Sequence, residues 1–187
     1  MKILVGVLAI QGGYQAHIDM LNKIGVKSLE IRTSDDLDDV THLIIPGGET
    51  TTLQKVIRNN GIWNCLTDFN GPVMGTCMGS ILMADEIQEP KADGFSMLDI
   101  AVKRNAYGRQ IDSFIATGKT EFSQKPFEMV FIRAPKIVRI GDNVRPIAWL
   151  DDEVTGVMAG NKIAVTFHPE LGNDVSVHKF FVSLPAE

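Results

Sequence analysis

Cysteine is scarce in this chain: Cys65 and Cys77 are the only two in 187 residues. Two cysteines cannot staple a small secreted domain, and no Cys/His spacing resembles a zinc site. A reducing cytoplasm is therefore the expected setting, and no metal is expected. Basic clusters are missing too. Eighteen Lys and Arg face 23 acidic residues, for a formal net charge of −5. This argues against nucleic acid or an anionic membrane as the main partner. No apolar run reaches transmembrane length. The opening run, Met1 to Ile10, carries one basic residue and leads into Gln11-Gly12-Gly13. A first buried strand and its turn explain it better than a signal peptide. Without internal repeats, linkers or low-complexity segments, residues 1–187 are expected to form one domain.

What is present is ordinary globular patterning, 44% hydrophobic and 22% charged. Lys2 to Ile10 reads as a central strand. Ile18, Leu21 and Ile24 then recur at helical spacing until Gly25. Val26–Ile31 alternates as a strand, and 34–39 is an acidic loop or short helix. His42–Ile45 is a buried strand closed by Pro46-Gly47-Gly48, with helices predicted over 50–60 and 62–69. A strand at 72–74 and a helix from Met78 to about Glu89 follow. The order β-α-β-β-α-α-β-α predicts an α/β fold with a doubly wound, mostly parallel sheet flanked by helices. From Ile100 to Val165 the segments are short and β-rich: 100–103, 113–117, 129–132, 136–140, 147–150, 154–158 and 162–166. These predict antiparallel additions to the sheet, and a helix over 175–183 closes the chain.

The chemistry centres on Pro72-Val73-Met74-Gly75-Thr76-Cys77-Met78-Gly79-Ser80. Gly-x-Cys-x-Gly between a strand and a helix is the cysteine form of the nucleophile elbow. The sharp turn needs small flanking residues and lifts the sulfur above the sheet. The helix N-terminus favours thiolate over thiol, and the Met78 N–H is free for an oxyanion. A buried structural cysteine in a Gly-rich turn would give the same pattern. A thiolate also needs a base and a group to orient it. His168 follows an apolar strand, Pro169 keeps it out of the helical region, and Glu170 lies two residues on, on the same side of an extended segment. A solvated His-Pro-Glu turn is the plainer alternative. His17 and His178 fall within predicted helices, and His42 opens a buried strand with no acid to orient it. The Gly47-Gly48 pair lets backbone N–H groups approach a ligand, and Glu49 could meet an ammonium group. A plain loop and a helix-capping acid are the alternatives.

Pro46-Gly47-Gly48-Glu49, then Gly75-Thr76-Cys77-x-Gly79, then His168-Pro169-Glu170, in this order and spacing, resemble the class I, triad-type glutamine amidotransferases. Arg104-Asn105-Ala106-Tyr107-Gly108-Arg109-Gln110, Phe131-Ile132-Arg133-Ala134-Pro135 and the opening Gly6-Val7-Leu8-Ala9-Ile10-Gln11-Gly12 narrow the resemblance. They resemble the glutaminase subunits of pyridoxal 5′-phosphate synthase, over nearly the whole chain. The resemblance implies a Cys77–His168–Glu170 triad and a glutamyl thioester. It implies an oxyanion hole from the Gly48 and Met78 N–H groups, and a glutamine site lined by Gly47, Gly48, Glu49, Arg104, Ile132 and Arg133. It implies no cofactor. It also implies a synthase partner, which uses the ammonia with ribose 5-phosphate and glyceraldehyde 3-phosphate, in a ring-shaped hetero-oligomer. Contacts near Gln11 and residues 14–24, and weak activity before the partner binds, are further expectations. Two positions depart from the family pattern: Met78 where alanine is usual, and Thr50 where serine is usual. The competing readings are a glutaminase of another pathway, a hydrolase with the same elbow, and a non-catalytic regulatory module on the same fold.

Overall fold

The computed structural model describes residues 2–48, 50–59, 61–104, 106 and 113–186. Its first half follows the predicted order: β1 (Leu4–Leu8), α1 (Tyr14–Lys23), β2 (Lys27–Ile31), β3 (His42–Ile45), α2 (Thr50–Asn59), α3 (Ile62–Thr67), β4 (Val73–Thr76) and α4 (Met78–Met83). The acidic stretch between β2 and β3 holds one turn of 3-10 helix, Asp35–Leu37. The second half is nearly all strand: β5 (Ala84–Gln88), β6 (Leu98–Lys103), β7 (Ser113–Thr120), β8 (Ser123–Ile132), β9 (Lys136–Ile140), β10 (Arg145–Leu150), β11 (Glu153–Ala159) and β12 (Lys162–Val165). A 3-10 turn at Pro169–Leu171 and α5 (Ser176–Val182) follow.

The main sheet has the strand order β2-β1-β3-β4-β12-β11-β10-β7-β8. From β2 to β12 all pairs are parallel; from β12 to β8 all are antiparallel. The parallel strands divide their side chains between two faces, as a period of two requires. Leu8, Leu43, Ile45 and Val73 pack in one buried cluster with Ile57, Leu66 and Ile81 of the helices α2, α3 and α4. Val5, Val7, Ile44 and Met74 pack in the other with Leu21 of α1 and Phe181 of α5. Helices thus cover both faces, which is what makes the sheet doubly wound. Strand β1 lies inside the sheet, between β2 and β3, and Val5–Leu8 are all buried.

One predicted element is corrected. The helix after the elbow stops at Met83 rather than near Glu89. Ala84 turns extended, with ψ 149°, and Ala84–Gln88 becomes a strand of a second sheet, β5-β6-β9. The apolar Ile87 that fits a helical face instead pairs with Val102 of β6. Long-range pairing outweighs local helical spacing here.

The topology also places the site. β12 brings the end of the chain back beside β4, with Val165 opposite Thr76. The residues that leave these two neighbouring strands therefore emerge together, at the carboxyl ends where open α/β sheets bind ligands.

Candidate active site

Cys77 leaves β4 at φ 48° and ψ −105°. This is the left-handed side, at a cost on the order of 1–3 kcal/mol for a residue with a Cβ. Neighbours hold it there. Its N–H donates to the Val165 carbonyl at 2.9 Å. Its own carbonyl accepts from the Ser80 N–H at 3.1 Å and the Ser80 hydroxyl at 2.6 Å. The flanking glycines answer to close approach. A Cβ on Gly75 would lie 2.6 Å from the Gly79 backbone, and one on Gly79 would overlap the Ile45 carbonyl. The Cys77 sulfur is buried beneath the end of β8, 3.8 Å from the Ile132 carbonyl.

His168 is held by backbone as well. Its N–H donates to the Val130 carbonyl of β8 at 2.8 Å. Pro169 opens the 3-10 turn immediately after it. Glu170 reaches His168 as the sequence predicts, with Oε1 2.7 Å from Nδ1, but from a helical turn rather than an extended segment. Burial alone pulls the His168 imidazole down. Its bonds to Cys77 and Glu170 outweigh that and push it up to about 10. Glu170 shows the mirror case. Burial raises its carboxyl, yet His17 and His168 hold it below the usual carboxylate range. At neutral pH the site therefore favours an imidazolium beside an ionised Glu170.

The third wall is the loop after β3. A Cβ on Gly47 would lie 2.5 Å from His168 Cε1 and 3.2 Å from Cys77 Cβ, so only glycine lets this backbone so close. The Gly47 carbonyl accepts from the Gly13 N–H at 3.1 Å. Gly13 in turn opens α1 beside Glu170: a Cβ there would sit 3.2 Å from Oε1. The positive end of α1 thus faces the carboxylate.

These elements enclose a cavity of about 370 Å³. Gly47, Gly48, Cys77, Met78, Arg104, Ile132, Arg133, His168 and Glu170, all singled out from the sequence, line it, together with Gly12, Gly13, Ile81 and Leu171. Ile132 and Leu171 leave apolar surface exposed at its rim. Glu49, Asn105 and the run 107–110 of the arginine motif lie outside the described residues. Among the described residues, no group of three or more His, Cys, Asp or Glu is placed to hold a metal ion. No described helix is long and apolar enough to cross a membrane.

Sequence reasoning passed over two histidines that the fold brings to this site. His17 of α1 is fully buried with Nε2 3.4 Å from Glu170 Oε2 and 3.1 Å from Thr76 Oγ1. Its Nδ1 lies 2.9 Å from Nε2 of His178 in α5, also fully buried. Burial lowers His17 and drives His178 down to about 3. Their partners stand far along the chain, so no local motif announces them. The apolar company of His17 on α1 was the one available signal. His42 stands apart from this group, with its ring nitrogens on Thr41 Oγ1 and the Leu184 carbonyl.

The sequence profile of the SNO glutamine amidotransferase family matches residues 7–186. A protein of Francisella philomiragia subsp. philomiragia named pyridoxal 5′-phosphate synthase subunit PdxT is 44% identical over 186 residues, covering 98% of this chain and all of its own. Its namesake from Thermococcus onnurineus is 43% identical, covering 95% of this chain and 96% of its own. A crystal structure described as a glutamine amidotransferase superposes with a TM-score of 0.90 at 38% identity, over 96% of this chain and 97% of that one.

Proposed function

The chain belongs to the SNO glutamine amidotransferase family, and we propose that Cys77, His168 and Glu170 carry its reaction. It is a glutaminase, the subunit of pyridoxal 5′-phosphate synthase that hydrolyses L-glutamine and delivers the ammonia to its synthase partner. The observation that carries the residue assignment is the shared cavity, where Cys77, His168 and Glu170 meet a glycine loop and two arginines.

Each group has one task. Cys77 gives its proton to His168, and its sulfur attacks the side-chain amide carbon of glutamine. The oxyanion of the tetrahedral intermediate is held by the Met78 and Gly48 N–H groups; such a donor is typically worth about 3 kcal/mol. When the carbon–nitrogen bond breaks, His168 returns the proton and ammonia leaves. Water, deprotonated by His168, attacks the glutamyl thioester and releases glutamate and the thiol. Glu170 holds the imidazole and stabilises its charge. Arg104 and Arg133 fit the substrate α-carboxylate, which a guanidinium grips in a planar fork. Glu49 takes the substrate ammonium, Ile132 packs against the substrate stem and Gly47 admits it. The reaction needs no cofactor.

Residues 1–187 act as one catalytic domain in the cytoplasm. The partner subunits form a ring with glutaminases docked outside it, and the apolar rim of Ile132 and Leu171 is surface that docking would cover. The test is glutamate release by the purified chain, alone and with the synthase subunit, beside Cys77→Ala. Release that rises with the partner and vanishes in Cys77→Ala is expected. Strong release indifferent to the partner would detach the chain from this synthase. Release that survives in Cys77→Ala would remove Cys77 as nucleophile.

A further inference from the structure

Beyond the triad, we propose that His17 is a positioning residue for Glu170, and that His178 fixes the tautomer in which His17 does this. The inference rests on the triad assigned above and extends it by two residues from α1 and α5.

Glu170 is 5% exposed and ionised, so both its oxygens need donors. Oε1 has Nδ1 of His168 at 2.7 Å. Oε2 is buried without a hydrogen bond, and His17 Nε2 stands 3.4 Å away. A proton on that nitrogen bonds the Thr76 hydroxyl at 3.1 Å and lies beside the unsatisfied oxygen, which it faces with the positive edge of the ring. A neutral imidazole carries one N–H, so Nδ1 of His17 must then accept. The group before it is Nε2 of His178, at 2.9 Å, which must therefore donate. This leaves Nδ1 of His178 bare, and it is the ring nitrogen of the pair that has no hydrogen-bond partner among the described residues. A lone acceptor there is tolerable; a buried N–H with no acceptor is far rarer. One assignment thus fits the chain: His178 donates to His17, His17 donates to Thr76 with its N–H edge beside Glu170 Oε2, and His168 donates to Glu170 from the other side.

The charged and titratable groups around His17 agree. Glu170 and His168 face it from the loop after β12, His178 from α5, and Lys23 of α1 lies near His178. Burial and the neighbouring cations keep both His17 and His178 neutral, so donation follows from tautomer and not from charge.

Two measurements decide this. Nitrogen-15 NMR of the histidine-labelled wild-type chain near pH 7 reads tautomers directly. Nε2–H on both His17 and His178 is expected, and Nδ1–H on His17 would overturn the proposal. The kinetic arm compares His17→Leu with His17→Gln in the complex with the synthase partner. His17→Leu should lower kcat by about tenfold or more with KM for glutamine unchanged. It should also move the acidic limb of the kcat/KM profile upward by about one pH unit, as Glu170 loses the polar neighbour beside Oε2. Gln places an amide N–H near the same point and should restore most of the rate and the limb. A His17→Leu enzyme with lowered melting temperature but wild-type kcat and pH limb would reduce His17 to a packing residue. If His17→Leu does not fold, the wild-type tautomers still decide. A wild-type complex without glutaminase activity would instead sink the triad reading, leaving the tautomers to be read separately.

Discussion

Two histidine environments flank one carboxylate in this protein, and they titrate in opposite directions. On the cavity side, His168 has a side chain 11% exposed, bonds to Cys77 and Glu170, and is pushed up to about 10. On the inner side, His17 and His178 have no exposure, and His178 is pushed down to about 3. The same residue type is favoured as a cation or as a neutral dipole according to what surrounds it. The difference is one of partners. His168 has two bonded groups that favour its charge; around His178, burial, another imidazole and a nearby lysine outweigh the pull of Glu170.

The comparison can be broken most severely at its centre. Glu170→Gln removes the charge both sides depend on and presents an amide donor to one imidazole. Glutamate release should fall about a thousandfold or more, and steady-state kinetics in the complex will show it. On the cavity side alone, Gly47→Ala drives a methyl into His168 and Cys77. A misplacement of this kind costs about a hundredfold in rate. A wild-type rate for Gly47→Ala would mean that the loop yields freely.

Stability against pH sharpens the contrast. His168 has a raised folded value, so its contribution is complete below about 6.5 and is lost as pH rises through about 10. His178 has a depressed one. The unfolded chain takes up a proton from pH 6.5 downward while the folded chain refuses it until about 3. Stability therefore drops on the acid side by about 1.4 kcal/mol per pH unit for each such group, with His17 acting in the same direction. Glu170, depressed in the fold, adds a further loss below its usual range near 4.5. Urea melts from pH 4.5 to 9.5 should peak near pH 6.5, and His178→Phe should flatten the acid slope. An unchanged acid slope in that variant would assign the loss elsewhere. The smallest effect is expected from Thr76→Val, which keeps the shape and removes the hydroxyl beside His17. It should cost about 1 kcal/mol in a thermal melt.

How much of this was legible in the sequence depends on the distance over which each feature is decided. Cys77, its two glycines and the His168–Glu170 contact are local, and their spacing revealed them. The parallel half of the sheet was equally plain, because aliphatic residues dominate β1 and fill Leu43–Ile45 of β3. The strand Ala84–Gln88 was read as helix, since its pairing with Leu98–Lys103 leaves no mark within 84–88. His17 and His178 stand 161 positions apart, and each looked like an incidental polar residue on its own helix. Arg104, Ile132 and Arg133 were legible only through resemblance, because nothing in their own spacing says that β6 and β8 end at one cavity.

Helix α1 meets the cavity lining at two points. Through Gly13 it holds the Gly47 carbonyl, and through His17 it stands against Glu170. A single helix therefore supplies a neighbour to the glycine loop and another to the buried carboxylate. The glycine loop and the carboxylate share one support, and its outward face, with Gln15, Asp19 and Asn22, is exposed.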